Sequence, residues 1–327
     1  MPAAVSVDRA ADTLVPPPIC RKLLANLLEQ QNPASGAWGY RRGQDAVEPT
    51  CLALMAIRAG KGASGRLAAR WLEEQQTASG ACHAFVGHDE DACWTTSLAV
   101  ISLVNSFPTS AGLQRVVQWL IKARGREAQW LWRWKFQTVD TKVSFDPAKF
   151  GWGWVEGTTS WVIPTALTII ALQKAVRSGL CQDGECRGRI QLGCEMLLDR
   201  MCPGGGWNAG NSVVFGVALQ PHIDATAIAL LALLHYPAAA AIESSLRWLG
   251  ARAVQCPSPF SIPWAVLAMD VYRDLIPDTK ARVMAATERL IQLLDTGTGV
   301  GETCTQALAA LAIEAAAGGE NVFAVKA

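Results

Sequence analysis

One short pattern is written several times along this sequence: a variable residue stands two positions before a threonine, and an apolar run follows. The threonines are Thr50, Thr96, Thr165 and Thr226, and Cys304 takes the same place in a further copy. A repeated unit of this kind buries its apolar face only against its neighbours, so it constrains the whole fold. The copies are EPTCLALMAI (48–57), WTTSLAVISL (94–103), IPTALTIIAL (163–172), DATAIALLAL (224–233) and ETCTQALAAL (302–311).

The position between the variable residue and the threonine indicates where each helix begins. It is Pro49 in one copy and Pro164 in another. Proline is favoured at the first helical position, where its missing N–H would have no partner in any case. This register predicts that the variable residue is the N-cap, at the mouth of an apolar helix. In three of these five copies it is a carboxylate: Glu48, Asp224 and Glu302.

Each apolar run is the second half of a two-helix unit. The first helices have mixed apolar and charged faces, several contain a Trp-Leu pair near their end, and a glycine-rich turn follows. The second helices are apolar throughout, as expected for helices buried on all sides. Six such units can be counted, the fifth of which (PSPFSIPWAVLAMDVY) keeps Pro263 and lacks the threonine.

The predicted fold is therefore all-α, a closed (α/α)6 toroid that needs no capping repeats. Residues 1–19 are predicted to be a flexible lead-in, residues 20–317 the toroid, and residues 318–327 a C-terminal tail.

One segment departs from the repeat. Residues 130–139 alternate apolar and polar side chains with several aromatic rings, which predicts a β-hairpin inserted at residues 130–146. Trp152, Trp154 and Trp161 follow at once. We expect this part to cap one end of the ring by burying tryptophans, and it could also form the wall of an apolar site.

The overall composition limits the class of function. Half of the residues are apolar, 17% are charged and the net charge is +1, so nothing favours a nucleic-acid partner. No signal peptide or membrane-spanning run is recognisable, which predicts a cytoplasmic protein, and peripheral contact with a membrane stays open. The ten cysteines are scattered, and several lie in apolar runs, as is typical of buried free thiols in a reducing compartment. The densest group, at 181–202, lacks the spacing of a zinc site, so no metal or cofactor is predicted.

These repeats resemble those of the squalene cyclase and protein-prenyltransferase superfamily. A QW-type motif runs from Trp71-Leu72 through Gln76 and Gly80, with Cys82 where the family has tryptophan. The six-fold count and the stretch HIDATA (222–227), which matches the DxDDTA acid motif of class II cyclases, extend the resemblance over nearly the whole chain. It implies a toroid around an apolar cavity that binds a linear isoprenoid of unspecified length.

At the acid motif the match is partial. The resemblance places Asp224 on the family's proton donor, while His222 and Ala225 replace the flanking aspartates. The family's zinc-binding His-Thr-Cys step falls on Glu302-Thr303-Cys304, which has lost its histidine, so zinc-dependent prenyl transfer is weakly supported. The metal-binding motifs of class I terpene synthases are absent.

The leading hypothesis is a class II terpene cyclase-like enzyme in which Asp224 protonates an alkene. His222 would return the proton, and Glu48 and Glu302 would converge on the same cavity. Aromatic faces would stabilise the resulting cation. The expected substrate contacts are Trp94, Trp152, Trp154, Trp161, Trp207 and Trp264.

Two alternatives stay open. Asp224 could be a simple N-cap, and the toroid could be a non-catalytic protein that binds an isoprenoid, a lipid or another protein. The acidic cluster His88-Asp89-Glu90-Asp91 could hold a metal or a diphosphate, but solvated loop acids explain it more simply.

Overall fold

The computed structural model describes residues 17–41, 43–58, 62–85, 91–108, 110, 112–139, 144–182, 184–299 and 301–325. The helices are α1 (Pro18–Gln30), α2 (Val47–Ile57), α3 (Ala63–Glu74), α4 (Cys93–Ser106), α5 (Leu113–Lys122), α6 (Trp130–Thr138), α7 (Val162–Arg177), α8 (Gly184–Asp199), α9 (Ile223–Ala232), α10 (Ala239–Ala253), α11 (Ser261–Asp270), α12 (Thr279–Asp295) and α13 (Thr303–Ala316). Two short antiparallel pairs accompany them, β1 (Cys82–His83) with β2 (Asp91–Ala92) and β3 (Val213–Val214) with β4 (Val217–Ala218).

The apolar helices form a closed inner ring. Going round it, α2, α4, α7, α9, α11 and α13 each pack on the next, and α13 packs back on α2. The outer helices α1, α3, α5, α8, α10 and α12 each precede one inner helix in the chain and pack against the outside of the ring. The predicted (α/α)6 toroid is therefore confirmed within the described residues, including the fifth pair, which lacks the threonine.

Burial explains the division into two layers. In the inner helix α9, every residue from Ala225 to Ala232 is buried. In the outer helix α5, the buried side chains recur at helical spacing, and the opposite face carries Gln114, Arg115 and Gln118. An all-round apolar helix needs neighbours on every side, which only the inside of the ring provides.

The two ends of the ring differ. The inner helices begin at one end, called here the mouth, and end at the other, called the floor. Long connections lie at the mouth and are joined by backbone hydrogen bonds, such as Cys93 N to Trp154 O at 3.0 Å, Val162 N to Ala209 O at 2.9 Å and Thr303 N to Tyr40 O at 3.0 Å. These bonds tie successive repeats into one rim, and β3 and β4 form a small hairpin on it.

The β-hairpin predicted at residues 130–146 is not formed at residues 130–138, which are the helix α6. A strand there would need a partner, whereas a helix satisfies its own backbone. The helix also pairs the alternating rings: Trp132 and Phe136, one turn apart, have centroids 6.1 Å apart, and Lys135 lies 4.7 Å from the centre of the Trp132 ring. Residues 140–143 lie outside the described residues.

The long connection that carries α6 is anchored by a buried ion pair. Glu127 and Arg200 are 0% and 1% exposed, and the guanidinium Nη2 lies 3.7 Å from the carboxylate Oε1. The same carboxylate accepts the backbone N–H of Ser160 at 3.1 Å. Since buried charges are costly unless paired, this contact fixes the connection against the fourth repeat.

The C-terminal segment, predicted as a tail, packs against the ring. In residues 318–325, Val322, Phe323 and Val325 are buried, and Phe323 is 0% exposed. The segment crosses the floor of the ring, where side chains of several inner helices bind its backbone. Residues 326–327 and the predicted lead-in as far as residue 16 lie outside the described residues, and α1 begins at Pro18.

Candidate functional site

The repeated threonine ties each inner helix to the turn that precedes it. The hydroxyls of Thr50, Thr96, Thr165 and Thr226 each accept a backbone N–H, from Trp38, Cys82, Trp152 and Trp207 respectively, at 2.8–3.0 Å. All four threonines are 0% exposed. The threonine therefore faces outward, towards the connection from its outer helix, and its role is structural.

The tryptophans of these turns complete the same joint. Trp38, Trp152 and Trp207 are 0% exposed, and each indole N–H donates to a carbonyl near the end of an outer helix at 2.5–2.8 Å. Buried indoles normally find such a partner. In place of the substrate contact predicted for Trp152 and Trp207, the structure gives them a role in joining outer and inner helices.

The variable residue of each repeat faces the lumen of the ring. It stands two positions before the outward threonine, which is about 200° around the helix. The residues eleven positions after Trp94 and Ile163 provide an independent check, because an eleven-residue step returns to the same helix face. These are Asn105 on α4 and Lys174 on α7, and both bind the C-terminal segment that crosses the floor. His235, just beyond the end of α9, binds the same segment.

The helices begin earlier than predicted. Glu48, Trp94, Ile163 and Asp224 are each the second residue of their helix, and only Glu302 is an N-cap. Proline is tolerated here because the first four N–H groups of a helix have no intrahelical acceptor. These four residues therefore lie just inside the lumen, whereas Glu302 stands on its edge.

Glu48 has the most unusual environment of the candidate acids. It is half-buried, and the Tyr40 hydroxyl donates a hydrogen bond to its Oε2 at 2.6 Å. Burial raises the pKa of the Glu48 carboxyl above its ordinary value, and the bond from Tyr40 opposes that rise. A carboxyl group whose protonated form is favoured by burial is a candidate proton donor. The sequence did not point to Tyr40, because nothing in its spacing marks it as a partner of Glu48.

Two thiols lie next to this pair. Burial, together with the nearby Glu48 charge, raises the pKa of both Cys51 and Cys304 well above the ordinary value of 9.0. Both thiols therefore stay neutral, and neither is activated as a nucleophile. Glu48 and Tyr40 therefore form the hydrogen-bonded acid pair of this corner between α2 and α13.

The other predicted acids do not join Glu48. Asp224 accepts the N–H of Ala225 on its own helix at 3.0 Å, and His222, the N-cap of α9, is exposed. Neighbouring helices pack at 8–10 Å, so α9, opposite α2 in the ring, lies about 16–20 Å from it, axis to axis. Glu302 is next to the Glu48 corner, but it pairs with Arg41 at 2.6 Å in an exposed ion pair. Glu48 and Asp224 therefore stand on opposite sides of the ring, and Glu302 is held in an ion pair outside it.

The remaining tryptophans differ in exposure. Trp94 and Trp154 meet edge to face at the mouth, with ring centroids 5.8 Å apart, and Trp154 is 38% exposed. Trp161 is the half-buried N-cap of α7. Trp264, the fourth residue of α11, is buried against Phe323, with ring centroids 4.8 Å apart. Trp94 and Trp154 therefore form an aromatic pair at the mouth.

His88, Asp89 and Glu90 of the predicted acidic cluster lie outside the described residues. Within the part of the chain that the structure describes, no group of three or more His, Cys, Asp or Glu side chains could hold a metal ion. Among the same residues, no helix has the length and apolar character needed to cross a membrane.

Comparison with known proteins finds likeness in structure only. No family model and no curated protein matches the sequence. A structure of a protein from Actinoplanes is 16% identical, with a TM-score of 0.62 over 91% of this chain and 98% of its own. A second similar structure is the GH76 α-1,6-mannanase of Salegentibacter sp. HEL1_6, an inactive variant in complex with α-1,6-mannotriose. It is 9% identical, with a TM-score of 0.63 over 91% of this chain and 98% of its own.

The type II terpene cyclase MstE from Scytonema is also similar. It is 15% identical, with a TM-score of 0.54 over 86% of this chain and 80% of its own. A variant of that cyclase was solved with its substrate geranylgeranyl dihydroxybenzoate. Likeness at such low identity shows the fold alone. The chain therefore has the (α/α)6 toroid fold that cyclases and mannanases share.

Proposed function

We propose that this protein is a class II terpene cyclase-like enzyme, in which Glu48 protonates a linear isoprenoid held in the lumen. The observation that carries the proposal is the Glu48 carboxyl group, half-buried at a lumen-facing position and bonded to the Tyr40 hydroxyl at 2.6 Å. Burial favours its neutral, protonated form. The resemblance in sequence had assigned this role to Asp224, whose surroundings give it no comparable support.

The proposed step is a proton transfer from carboxyl to carbon. Glu48 gives its proton to one carbon of an alkene, the other carbon becomes a carbocation, and Glu48 is left as a carboxylate. The Tyr40 hydrogen bond stabilises that carboxylate as it forms. The faces of Trp94 and Trp154 are placed to stabilise the cation. Ring closure then moves the positive charge along the chain, and loss of a proton ends the reaction, with Asp224 across the lumen as its acceptor.

The mannanase likeness raises a competing function, glycoside hydrolysis. That reaction generally needs two carboxyl groups about 5–10 Å apart on either side of one bond. Glu48 and Asp224 lie on opposite helices, and Glu302 is bound to Arg41 in the open. Beside the acids Glu48 and Asp224, the mouth positions carry Trp94 and Ile163, whose apolar side chains suit a hydrocarbon better than a sugar.

The test is to incubate the protein with squalene, farnesyl diphosphate and geranylgeranyl diphosphate, and to analyse extracts by mass spectrometry. We expect cyclised product, and a loss of about 100-fold or more in Glu48→Gln, which keeps the shape and removes the acid. Glu302→Gln is the matched control and should retain activity. Product unaffected by Glu48→Gln would remove Glu48 from the mechanism. No product from the wild type, together with tight binding of a prenyl chain, would favour the non-catalytic toroid.

An exposed apolar patch on the rim suggests how such a substrate arrives. On α6, Trp130, Leu131 and Trp134 share one face and are 79%, 53% and 54% exposed. Phe215, in the turn between β3 and β4, is 71% exposed. Ser144, six residues beyond the end of α6, donates its backbone N–H to Val213 O of β3 at 3.3 Å. Monomeric soluble proteins rarely leave several large side chains together in water.

We propose that this patch rests on a lipid surface. α6 also carries the half-buried cations Arg133 and Lys135, the second over the Trp132 ring, and contains no acidic residue. Tryptophan with neighbouring cations is the composition of helices that lie in the interface of anionic membranes. Contact there would bring the mouth to the place where apolar isoprenoids are dissolved.

Co-sedimentation with vesicles tests this contact. We expect the wild type to bind vesicles containing phosphatidylserine, and the Trp130→Ser/Trp134→Ser variant to bind about tenfold less tightly or weaker. Leu275→Ser is the matched control, because Leu275 is 67% exposed but lies at the floor end. Equal binding by all three proteins would rule out α6 as the contact.

A further inference from the structure

The outer helix α12 carries a stripe of side chains whose spacing is the same from either end. Lys280, Met284, Ile291 and Asp295 follow one another at intervals of four, seven and four residues. Steps of four and seven residues keep side chains on one face of a helix, so the four lie in one row. Met284 is 65% exposed, Lys280 and Asp295 are exposed, and Ile291 is half-buried. A cation and a methionine in the first half of the helix thus mirror an isoleucine and an anion in the second half.

The isoleucine end of this stripe borders an apolar groove. The groove lies between α12 and α1 and has a volume of about 510 Å³. Its apolar walls are formed by Ile291 and Leu294 of α12 and by Ile19 and Leu23 of α1. A methionine side chain is unbranched and polarisable, so it adapts to irregular apolar gaps. The stripe therefore carries a projecting apolar side chain, Met284, and a groove able to receive one, seven residues or about 10 Å apart.

The two charges of the stripe stand at the ends of α12 that favour them least. Lys280 is in the first turn, and Asp295 is the last residue of the helix. The helix dipole favours the opposite arrangement, with an anion in the first turn and a cation in the last. The ion pairs of the described residues include neither side chain. An antiparallel second helix would bring an anion to Lys280 and a cation to Asp295.

We propose that α12 is the surface through which two copies of this chain form a two-fold dimer, with their α12 helices packed antiparallel. Met284 of each copy enters the groove of the other beside Ile291, and Lys280 of each copy faces Asp295 of the other. One register makes all of these contacts, because a two-fold axis midway between residues 287 and 288 relates both pairs.

The same arrangement limits the strength of the dimer. Glu288 is exposed beside the axis, so the two copies also bring two carboxylates near each other. A contact made mainly by one pair of helices is smaller than a standard protein interface. We therefore expect a weak dimer whose population depends on protein concentration.

Exchange of the two charges tests this contact, with sedimentation equilibrium of the full chain over a range of concentrations as the measurement. Lys280→Glu and Asp295→Lys should each weaken the dimer by about tenfold or more, because each places like charges opposite one another twice in the dimer. The double variant Lys280→Glu/Asp295→Lys should regain the wild-type association. The two positions are fifteen residues, or about 22 Å, apart on one helix, so one change offsets the other only between two copies.

A change to the apolar part of the stripe provides a second test. Met284→Glu puts a charge into the groove and should weaken the dimer by about tenfold or more. Leu67→Glu is the matched control, because Leu67 is 43% exposed on the outer helix α3, and it should leave association unchanged. Circular dichroism checks that each variant is folded.

Three results would overturn the proposal. A wild type that stays monomeric at every concentration would leave the groove to another occupant. A dimer that neither the charge reversals nor Met284→Glu weaken would have its contact elsewhere. A double charge variant that associates no better than the single variants would exclude the antiparallel pairing of Lys280 with Asp295.

Discussion

At the scale of single residues, the feature with the greatest chemical consequence is the Glu48 carboxyl group beside Tyr40. Its position follows from the repeat, since it stands where Trp94, Ile163 and Asp224 stand in other repeats. Its chemistry follows from its surroundings, since burial raises its pKa. The sequence identified three mouth carboxylates, and its resemblance to the cyclases favoured Asp224. It gave no sign of the surroundings of Glu48, because burial and the Tyr40 contact arise only when the connection after α1 folds over the mouth.

This raised pKa predicts a pH dependence of stability. The folded chain holds the Glu48 proton to higher pH than the unfolded chain, so its contribution is fully present below the ordinary value of 4.5 and is lost as pH rises through the raised value. We therefore compare the free energies of unfolding of the wild type and of Glu48→Gln. The wild-type value relative to that of the variant should be greatest at low pH and should fall as the pH rises above 4.5. Urea unfolding at a series of pH values measures it.

Tyr40→Phe provides the second arm of this experiment. It removes the hydrogen bond that lowers the Glu48 pKa, so that pKa should rise further. The loss of stability with rising pH should then continue to a higher pH than in the wild type. A difference between wild type and Glu48→Gln that stays constant across this range would show that the carboxyl group titrates as it does in the unfolded chain.

At the scale of elements, the connection between α5 and α7 differs most from what its sequence suggested. Its aromatic alternation indicated a hairpin, whereas the chain forms α6, because a helix needs no partner strand and pairs Trp132 with Phe136. The connection is held in place by charge as well as by rings. Glu127 and Arg200 are both buried, and they link it to the end of α8.

Glu127→Gln should therefore be severely destabilising. It removes the fully buried counter-charge of Arg200 and leaves Asp199, whose Oδ2 lies 3.5 Å from Nε, as the remaining one, so we expect a loss of about 3–5 kcal/mol in the free energy of unfolding. The control is Glu185→Gln, which breaks an exposed ion pair with Arg124 at 3.5 Å and should cost less than about 1 kcal/mol. Chemical denaturation of both variants gives the comparison, and equal losses would mean that the buried pair adds nothing beyond a surface pair.

At the scale of the whole molecule, stability depends on closing the ring, because α13 must pack against α2. An open array of repeats tolerates the loss of an internal unit, since each unit contacts only its neighbours. A closed ring loses its geometry with any pair. We expect removal of residues 239–270, which carry α10 and α11, to give an unfolded or aggregated chain by circular dichroism and size-exclusion chromatography.

The contrasting deletion replaces α6 with a flexible linker of glycine and serine. α6 is not part of either layer and has no buried residues, so the ring should stay folded. A folded, shortened ring after removal of α10 and α11 would instead mean that the repeats behave as an open solenoid.

The sequence by itself determined the helix pairs, their number and their order, because helical periodicity, threonine spacing and glycine turns are local properties. It also located the mouth residues, since a fixed register puts Glu48, Trp94 and Asp224 on one face of each helix. Only the tertiary structure decided which of these residues meet. Ring closure puts Asp224 opposite Glu48 and brings Tyr40 to Glu48. It likewise seats Phe323, far along the chain, on Trp264, because contacts between distant segments leave no pattern in a single sequence.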